Sequence, residues 1–181
     1  MVDESKTRRF ERVVMPHVDA AYNLARWLIR HPADTEDVMQ EAMLRAYKFL
    51  DSCREDTARQ WVIRITRNAC YDWLGRRAGL PLAFADLDPL DGDGAAFSTD
   101  LFGCSAPSPE DLLAQADQTF LFEELVAALP PLYREIIVLR ELEEFSYKEI
   151  AEIAHLPVGT VMSRLSRARS LLEQEWRRRH G

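Results

Sequence analysis

The chain has 181 residues, 47% hydrophobic and 29% charged, with a formal net charge of −7. That is the composition of a globular protein with room for one medium domain or two small ones, and it excludes a disordered chain. No apolar run reaches the roughly 18 residues of a membrane span, and the charged N-terminus MVDESKTRRFERVV lacks the apolar core of a signal peptide, so a cytoplasmic protein without membrane insertion is expected.

The charge is segregated. Residues 1–79 hold 14 Lys and Arg against 12 Asp and Glu; residues 80–119 hold 8 Asp and Glu with no Lys or Arg; residues 120–181 hold 9 and 10. The acidity therefore belongs to the middle segment, and local basic faces stay available for nucleic acid. Cys53, Cys70 and Cys104 are far apart and form no C-x-x-C pair, and the four histidines are equally scattered. Buried or incidental thiols are expected, with Cys104 the most exposed, and neither a metal nor a cofactor.

In chain order, a first helix is predicted over about Thr7–Ile29, interrupted near Pro16, which has no N–H to donate. Val18, Ala21, Tyr22, Ala25, Leu28 and Ile29 form its apolar face. Asp34 then opens a second helix, with acidic residues in the first turn where the helix dipole favours them. Val38, Met39, Ala42, Met43, Ala46, Tyr47 and Leu50 are its core side; Asp37, Gln40, Glu41, Leu44 and Lys48 lie opposite. After a loop over Asp51–Asp56, a third helix ends before Gly79 and places Trp61, Ile65, Ala69 and Trp73 on a core stripe. Arg64, Arg67, Asn68, Tyr71, Arg76 and Arg77 fall largely elsewhere, a combination suited to a phosphate backbone and unstacked bases.

Residues 80–109 are rich in Pro, Gly, Asp and Ser without periodicity and read as linker. Near the C-terminus, Ser146 and Glu149 form a capping box, and Ile150, Ala151, Ile153 and Ala154 give an apolar helix face. Residues 156–159 break the helix, and Thr160 is placed to cap the next one. In that helix Val161, Leu165, Ala168 and Leu172 share an apolar stripe, and Ser163, Arg164, Arg167 and Arg169 are read on the other face. This is the layout of a helix-turn-helix with a basic recognition helix. The expected fold is all-α: a helical domain over 5–79, a flexible acidic linker over 80–117, and a second helical domain over 118–178.

Two segments match one family in order. DTEDVMQE at 34–41, RAY at 45–47 and WVIRITRN at 61–68 resemble region 2 of bacterial sigma factors, closest to the extracytoplasmic-function (ECF) group. LPPLYRE at 129–135 with Leu139, SYKEIA at 146–151 and VGTVMSR at 158–164 resemble region 4 of the same group. The resemblance implies a non-catalytic subunit that binds core RNA polymerase through the clamp helices of its largest subunit and the β-flap. It implies recognition of the −35 and −10 promoter elements, help in opening the duplex, control by an anti-sigma factor, and a monomer when free.

Carried over by position, the resemblance puts core polymerase on Asp37, Gln40, Glu41 and Leu44, and the −10 element on Arg64, Arg67, Asn68, Tyr71 and Arg76. Asn68 falls where the family helps hold a flipped-out base, and the loop over Asp51–Arg59 corresponds to the one completing that pocket. The −35 element falls to Thr160, Ser163, Arg164, Ser166, Arg167 and Arg169. Met162 stands where some members have arginine and Ser166 where some have an aromatic residue, and Arg164 is either a base reader or a phosphate anchor. Arg177, Arg178 and Arg179 are either a solubilising helix end or DNA contacts. The acidic linker is either a solvated spacer or a polyanion attracted to the RNA channel of polymerase.

Two other classes compete. A stand-alone helix-turn-helix regulator would bind DNA without polymerase, but residues 1–79 contain no ligand-pocket or receiver pattern. An enzyme would need a phosphate loop, paired carboxylates or a Ser/His or Cys/His motif, and none is present.

Overall fold

A computed structural model of the chain describes residues 4–79 and 113–180; the predicted linker up to residue 112, with Cys104, lies outside the described residues. Among the described residues there are helices and turns and no strand.

The first helix is divided as its proline predicts. Helix α1 (Glu4–Val13) gives way to a 3₁₀ turn at Met15–His17, and α2 runs over Val18–Ile29. Ala21, Ala25, Leu28 and Ile29 are buried, joined by Leu24 and Trp27, whereas Tyr22 stays exposed. Arg30 closes α2 in the left-handed region (φ 62°). Helix α3 (Pro32–Lys48) starts two residues ahead of the expected Asp34. Proline fits the first helical position, where its missing N–H has no helical partner to lose.

Two 3₁₀ turns, Leu50–Ser52 and Glu55–Thr57, lead into α4 (Ala58–Ala78), which stops at Gly79 with φ +64°, a conformation open chiefly to glycine. Trp61 and Ala69 of the predicted stripe are buried, and Ile65 and Trp73 pack against the core in part. Helix α4 buries more than that stripe. Val62, Ile63, Thr66, Arg67, Cys70 and Tyr71 are buried too, because neighbours enclose it on more than one side.

One neighbour is the second helical unit. It comprises α5 (Leu113–Ala128), α6 (Pro131–Ile137) continuing into a π turn at Val138–Leu142, α7 (Tyr147–Ala154) and α8 (Val158–His180). Helix α5 begins inside the segment assigned to the linker, so the helical part of the second domain starts five residues before the expected 118. The π turn closes with Glu143 N–H donating to Val138 C=O and Phe145 N–H to Leu139 C=O, both 3.0 Å. Its wide winding swings Glu143 and Phe145 toward the first unit.

Ser146 caps α7 as predicted: its Oγ accepts from Glu149 N–H at 3.3 Å, and the Glu149 carboxylate accepts from Ser146 N–H at 2.8 Å. His155 ends α7 in the left-handed region (φ 54°). Thr160 does not cap α8. The helix begins at Val158, and the N–H groups of Thr160 and Val161 already donate to Pro157 C=O, so Thr160 lies inside the first turn. Val161, Leu165 and Ala168 are buried, and Leu172 is half-buried against the same core.

A single buried cation ties the elements together. Arg134 on α6 donates to the carbonyls of Val126 (3.3 Å), Ala127 (2.9 Å) and Leu129 (2.7 Å), and to Trp27 on α2 at 3.0 Å. These carbonyls lie at or near helix C-termini, which lack helical donors and carry the negative end of the dipole. Burial, and secondarily Arg30, lowers the pKa of Arg134 to about 10, so it remains charged at neutral pH.

Arg134→Ala removes a donor from four carbonyls, of which Ala127 keeps Arg30 and Val126 keeps Leu129 N–H, and should cost about 2–4 kcal/mol in chemical denaturation. Arg134→Lys should recover only part of this, because an ammonium has three donors and no planar fork. Ser146→Ala should cost about 1 kcal/mol and speed amide exchange in α7. The Ser146 N–H, then the Ser146 hydroxyl, Gln60 and Arg59, hold the Glu149 carboxyl below the usual carboxylate range. Its stabilising contribution is therefore present above the ordinary glutamate range and is lost as pH falls through the lowered value, which NMR titration of the carboxyl carbon will report.

Candidate nucleic-acid interface

Three surfaces carry the predicted site residues. On α3, core residues on one side leave Asp37, Gln40 and Leu44 exposed on the other, and Leu44 is 71% accessible. Glu41 is half-buried and accepts from Arg45 and from Arg76 (3.2 Å). Partial burial opposes ionisation of Glu41, but the two guanidiniums outweigh it and hold the carboxyl below the usual range. Arg45 also donates to Asp72 at 2.5 Å. The acidic face of α3 is thus buttressed from α4, and Glu41 meets Arg76, a residue assigned to a different partner.

On α4 the predicted −10 residues separate into two groups. Asn68 and Arg76 are exposed and Arg64 is half-buried. Arg67 and Tyr71 are buried, and both reach Glu135 on α6. Arg67 pairs with the carboxylate through Nε and Nη2, and the Tyr71 hydroxyl donates to Oε2 at 2.6 Å. The Arg67 guanidinium also lies 4.6 Å from the Tyr71 ring centre. Burial, then the Glu135 charge, raises the Tyr71 pKa well above its ordinary value; burial opposes ionisation of Arg67, but Glu135 more than compensates. In this arrangement the set does not share one surface, because the second unit supplies an anion that draws two of its members inside.

The loop over Asp51–Arg59 is braced by α1. Arg9 donates to Cys53 C=O at 3.0 Å and Arg12 to Glu55 at 2.8 Å. Its last residue turns to the second unit: Arg59 donates to Glu143 C=O (2.7 Å) and Oε2 (3.2 Å), and stacks 4.2 Å above the Phe145 ring.

On α8, Ser163, Ser166, Arg167 and Arg169 are exposed and Thr160 is half-buried. Ser163 Oγ donates to Thr160 C=O at 3.0 Å, and Arg169 is paired with Glu141 at 2.5 Å. Arg164 departs from the expected outward face. It is 4% exposed, and its Nε and Nη1 have no hydrogen-bond partner among the described residues. The reason is register: 164 lies three residues after Val161 and four before Ala168, which places it on the buried stripe. Gly159 sits in the first turn of α8 with ordinary backbone angles and open space around its Cβ position, so folding alone does not call for glycine there. Arg177, Arg178 and Arg179 pair with Glu173, Glu175 and Glu124.

Sequence reasoning missed the side chains that organise this surface. Glu135, Glu143, Asn23 and Gln60 have no local pattern that announces them. Asn23 donates to Glu143 at 2.7 Å and Gln60 to Glu149 at 2.9 Å. Cys53 and Cys70 are buried thiols, as expected. Among the described residues no cluster suited to a metal ion is found, and no helix is long and apolar enough to cross a membrane.

Comparison with known proteins accounts for this set of faces. Residues 13–79 match the family Sigma-70 region 2, and residues 119–172 match Sigma-70, region 4. The ECF RNA polymerase sigma-E factor of Escherichia coli strain K12 is 36% identical over 143 residues, covering 78% of this chain and 73% of the relative. The ECF RNA polymerase sigma factor SigW of Bacillus subtilis is 30% identical, covering 93% and 89%. Among solved structures, the sigma factor RpoE of Bartonella quintana, crystallised with the anti-sigma factor NepR, superposes with a TM-score of 0.65 at 25% identity, covering 91% of this chain and 94% of that one. CnrH in complex with the cytosolic domain of CnrY shares the fold, with a TM-score of 0.62 at 24% identity, covering 94% and 88%. With both regions matched in order, and with relatives of 30% identity or more over most of their length, the chain belongs to the ECF sigma factors of RNA polymerase.

Proposed function

We propose that this sigma factor docks on core polymerase through the outer face of α3, reads the −10 element with α4 and the −35 element with the first turns of α8, and is held in check by an anti-sigma factor. The observation that carries the docking assignment is Leu44, 71% exposed in a helix whose other side is core, and flanked by Asp37, Gln40 and Glu41. A solvated leucine ringed by acidic and amide groups is the make-up of an interface anchor with a polar rim. The groove between α5 and α8, about 230 Å³ and lined by Leu125, Leu129 and Leu171, is the seat we assign to the β-flap.

At the −10 element, exposed Asn68 is assigned to a flipped-out base, with Arg64 and Arg76 on the phosphates. Capturing an unstacked base favours the open duplex by binding energy alone, so no bond is made or broken and the protein is not an enzyme. At the −35 element, the first turn of α8 enters the major groove. Gly159 there allows close backbone approach, and Ser163, Ser166 and Arg167 face outward toward bases and phosphates. The protein works where polymerase does, in the cytoplasm, and as a monomer when free.

Run-off transcription with core polymerase and a promoter library tests the reading. Activity strictly dependent on core supports it; tight duplex binding and regulation without core would favour a stand-alone helix-turn-helix regulator. Leu44→Asp should weaken core binding by tenfold or more with an unchanged melting temperature. Asn68→Ala should leave core binding intact and reduce open-complex formation, read by permanganate reactivity of the melted strand.

A further inference from the structure

We infer that Phe49, at the C-terminal end of α3, is a stacking platform for the unstacked base of the −10 element. Its ring holds the base by the face while the Asn68 amide beside it reads the edge, a role that rests on the assignment of Asn68 to a flipped-out base given above.

Helices α3 and α4 run antiparallel, and two rows of side chains at steps of four face each other along one edge. On α3 the row is Glu41, Arg45 and Phe49; on α4 it is Asn68, Asp72 and Arg76. Two rungs are closed by ion pairs, Glu41 to Arg76 at 3.2 Å and Arg45 to Asp72 at 2.5 Å. Each step of four forward along α3 is matched by a step of four back along α4, so the next rung sets Phe49 beside Asn68. That rung is open. Asn68 is exposed and its amide has no hydrogen-bond partner among the described residues, and the Phe49 ring is 53% exposed.

The backbone of Phe49 is fixed on both sides while its ring is left in water. Its N–H donates to Arg45 C=O at 2.9 Å, which continues the turn of α3. Its carbonyl accepts from Ser52 N–H at 3.0 Å and from Ser52 Oγ at 2.7 Å. Leu50, the next residue, is fully buried and anchors the turn. A ring so placed contributes little to folding, because much of its apolar area stays exposed. It is well suited to a base: a pre-positioned aromatic loses little freedom on binding, and every base has a π face to offer. Stacking alone does not choose between bases, whereas the Asn68 amide, with a donor and an acceptor in one plane, does. Lys48 Nζ lies 5.4 Å from the ring centre, a cation beside the path that the phosphate of a stacked nucleotide would take. Phe49 does not belong to the polymerase-docking row. Five residues after Leu44, it points about 140° away from it round the helix.

The test uses reconstituted holoenzyme on a promoter recovered from the run-off library. The promoter is either intact or carries one abasic nucleotide at each non-template position of the −10 element in turn, and the lifetime of the open complex is read after challenge with competitor DNA. With the wild-type chain, one abasic position should shorten the lifetime and so mark the captured base. Phe49→Ala should shorten the lifetime about tenfold or more on the intact promoter, the size expected of one base–aromatic stack. On the promoter already lacking the captured base, the same variant should cost no more than about twofold, since the two perturbations remove one contact. Phe49→Tyr keeps the ring and should return to within about twofold of wild type, whereas Phe49→Leu keeps apolar bulk without a π face and should not. Core affinity and melting temperature should stay unchanged in all three variants. A loss of equal size with and without the base, or no loss at all, overturns the platform, and a fall in core affinity makes Phe49 a polymerase contact instead. If no abasic position matters to the wild type, the assignment of Asn68 falls and the platform with it. Failure of the sigma-factor assignment itself would show separately, as no core-dependent transcript from the wild-type chain.

Discussion

Two neighbouring side chains on α6, Arg134 and Glu135, set the conditions for everything else. Arg134 spends its guanidinium on main-chain carbonyls at helix ends; Glu135 spends its carboxylate on side chains of α4. Successive residues on a helix point about 100° apart, so one short element holds helix-end carbonyls of both units in one direction and side chains of α4 in another. The Pro130–Pro131 step that starts α6 makes this possible, because a proline at the first helical position fixes the entry angle without losing a hydrogen bond. Both units contribute to one continuous apolar core, and the charged contacts are placed within it.

The sequence made most of the architecture readable. The break at Pro16, the capping box at Ser146 and Glu149, the glycine stop of α4 and the two-sided character of α3 are local signals, and local chemistry suffices to produce them. Differences arose where a boundary depends on chain geometry rather than composition: α3 enters at proline, α5 extends back to Leu113, and α8 begins ahead of Thr160. The burial of Arg164 was available in principle, since 161, 164, 165 and 168 complete one helical stripe; its charge argued for the surface, and register prevailed. Burial of Arg67 and Tyr71 was not available, because it comes from a carboxylate more than sixty residues away in sequence.

Net charge is a poor guide to such a protein, and its distribution is a good one. Most of the acidity belongs to residues between the two helical units, while the helices set cations of one unit against carboxylates of the other. An exposed arginine on α4 or α8 is also commonly in contact with a glutamate, as with Arg76 and Arg169. Exposed pairs of this kind contribute little to stability. They hold long side chains in defined places.

Burial of Cys70 has a chemical consequence. Its thiol lies within the field of Glu135, and burial first, then that carboxylate, pushes its pKa far above the ordinary thiol value. The thiolate is the species that peroxide attacks. In this arrangement Cys70 is thus both walled off from oxidants and kept in its unreactive form, so oxidation chemistry is suppressed at the centre of a protein whose side chains are arranged for binding.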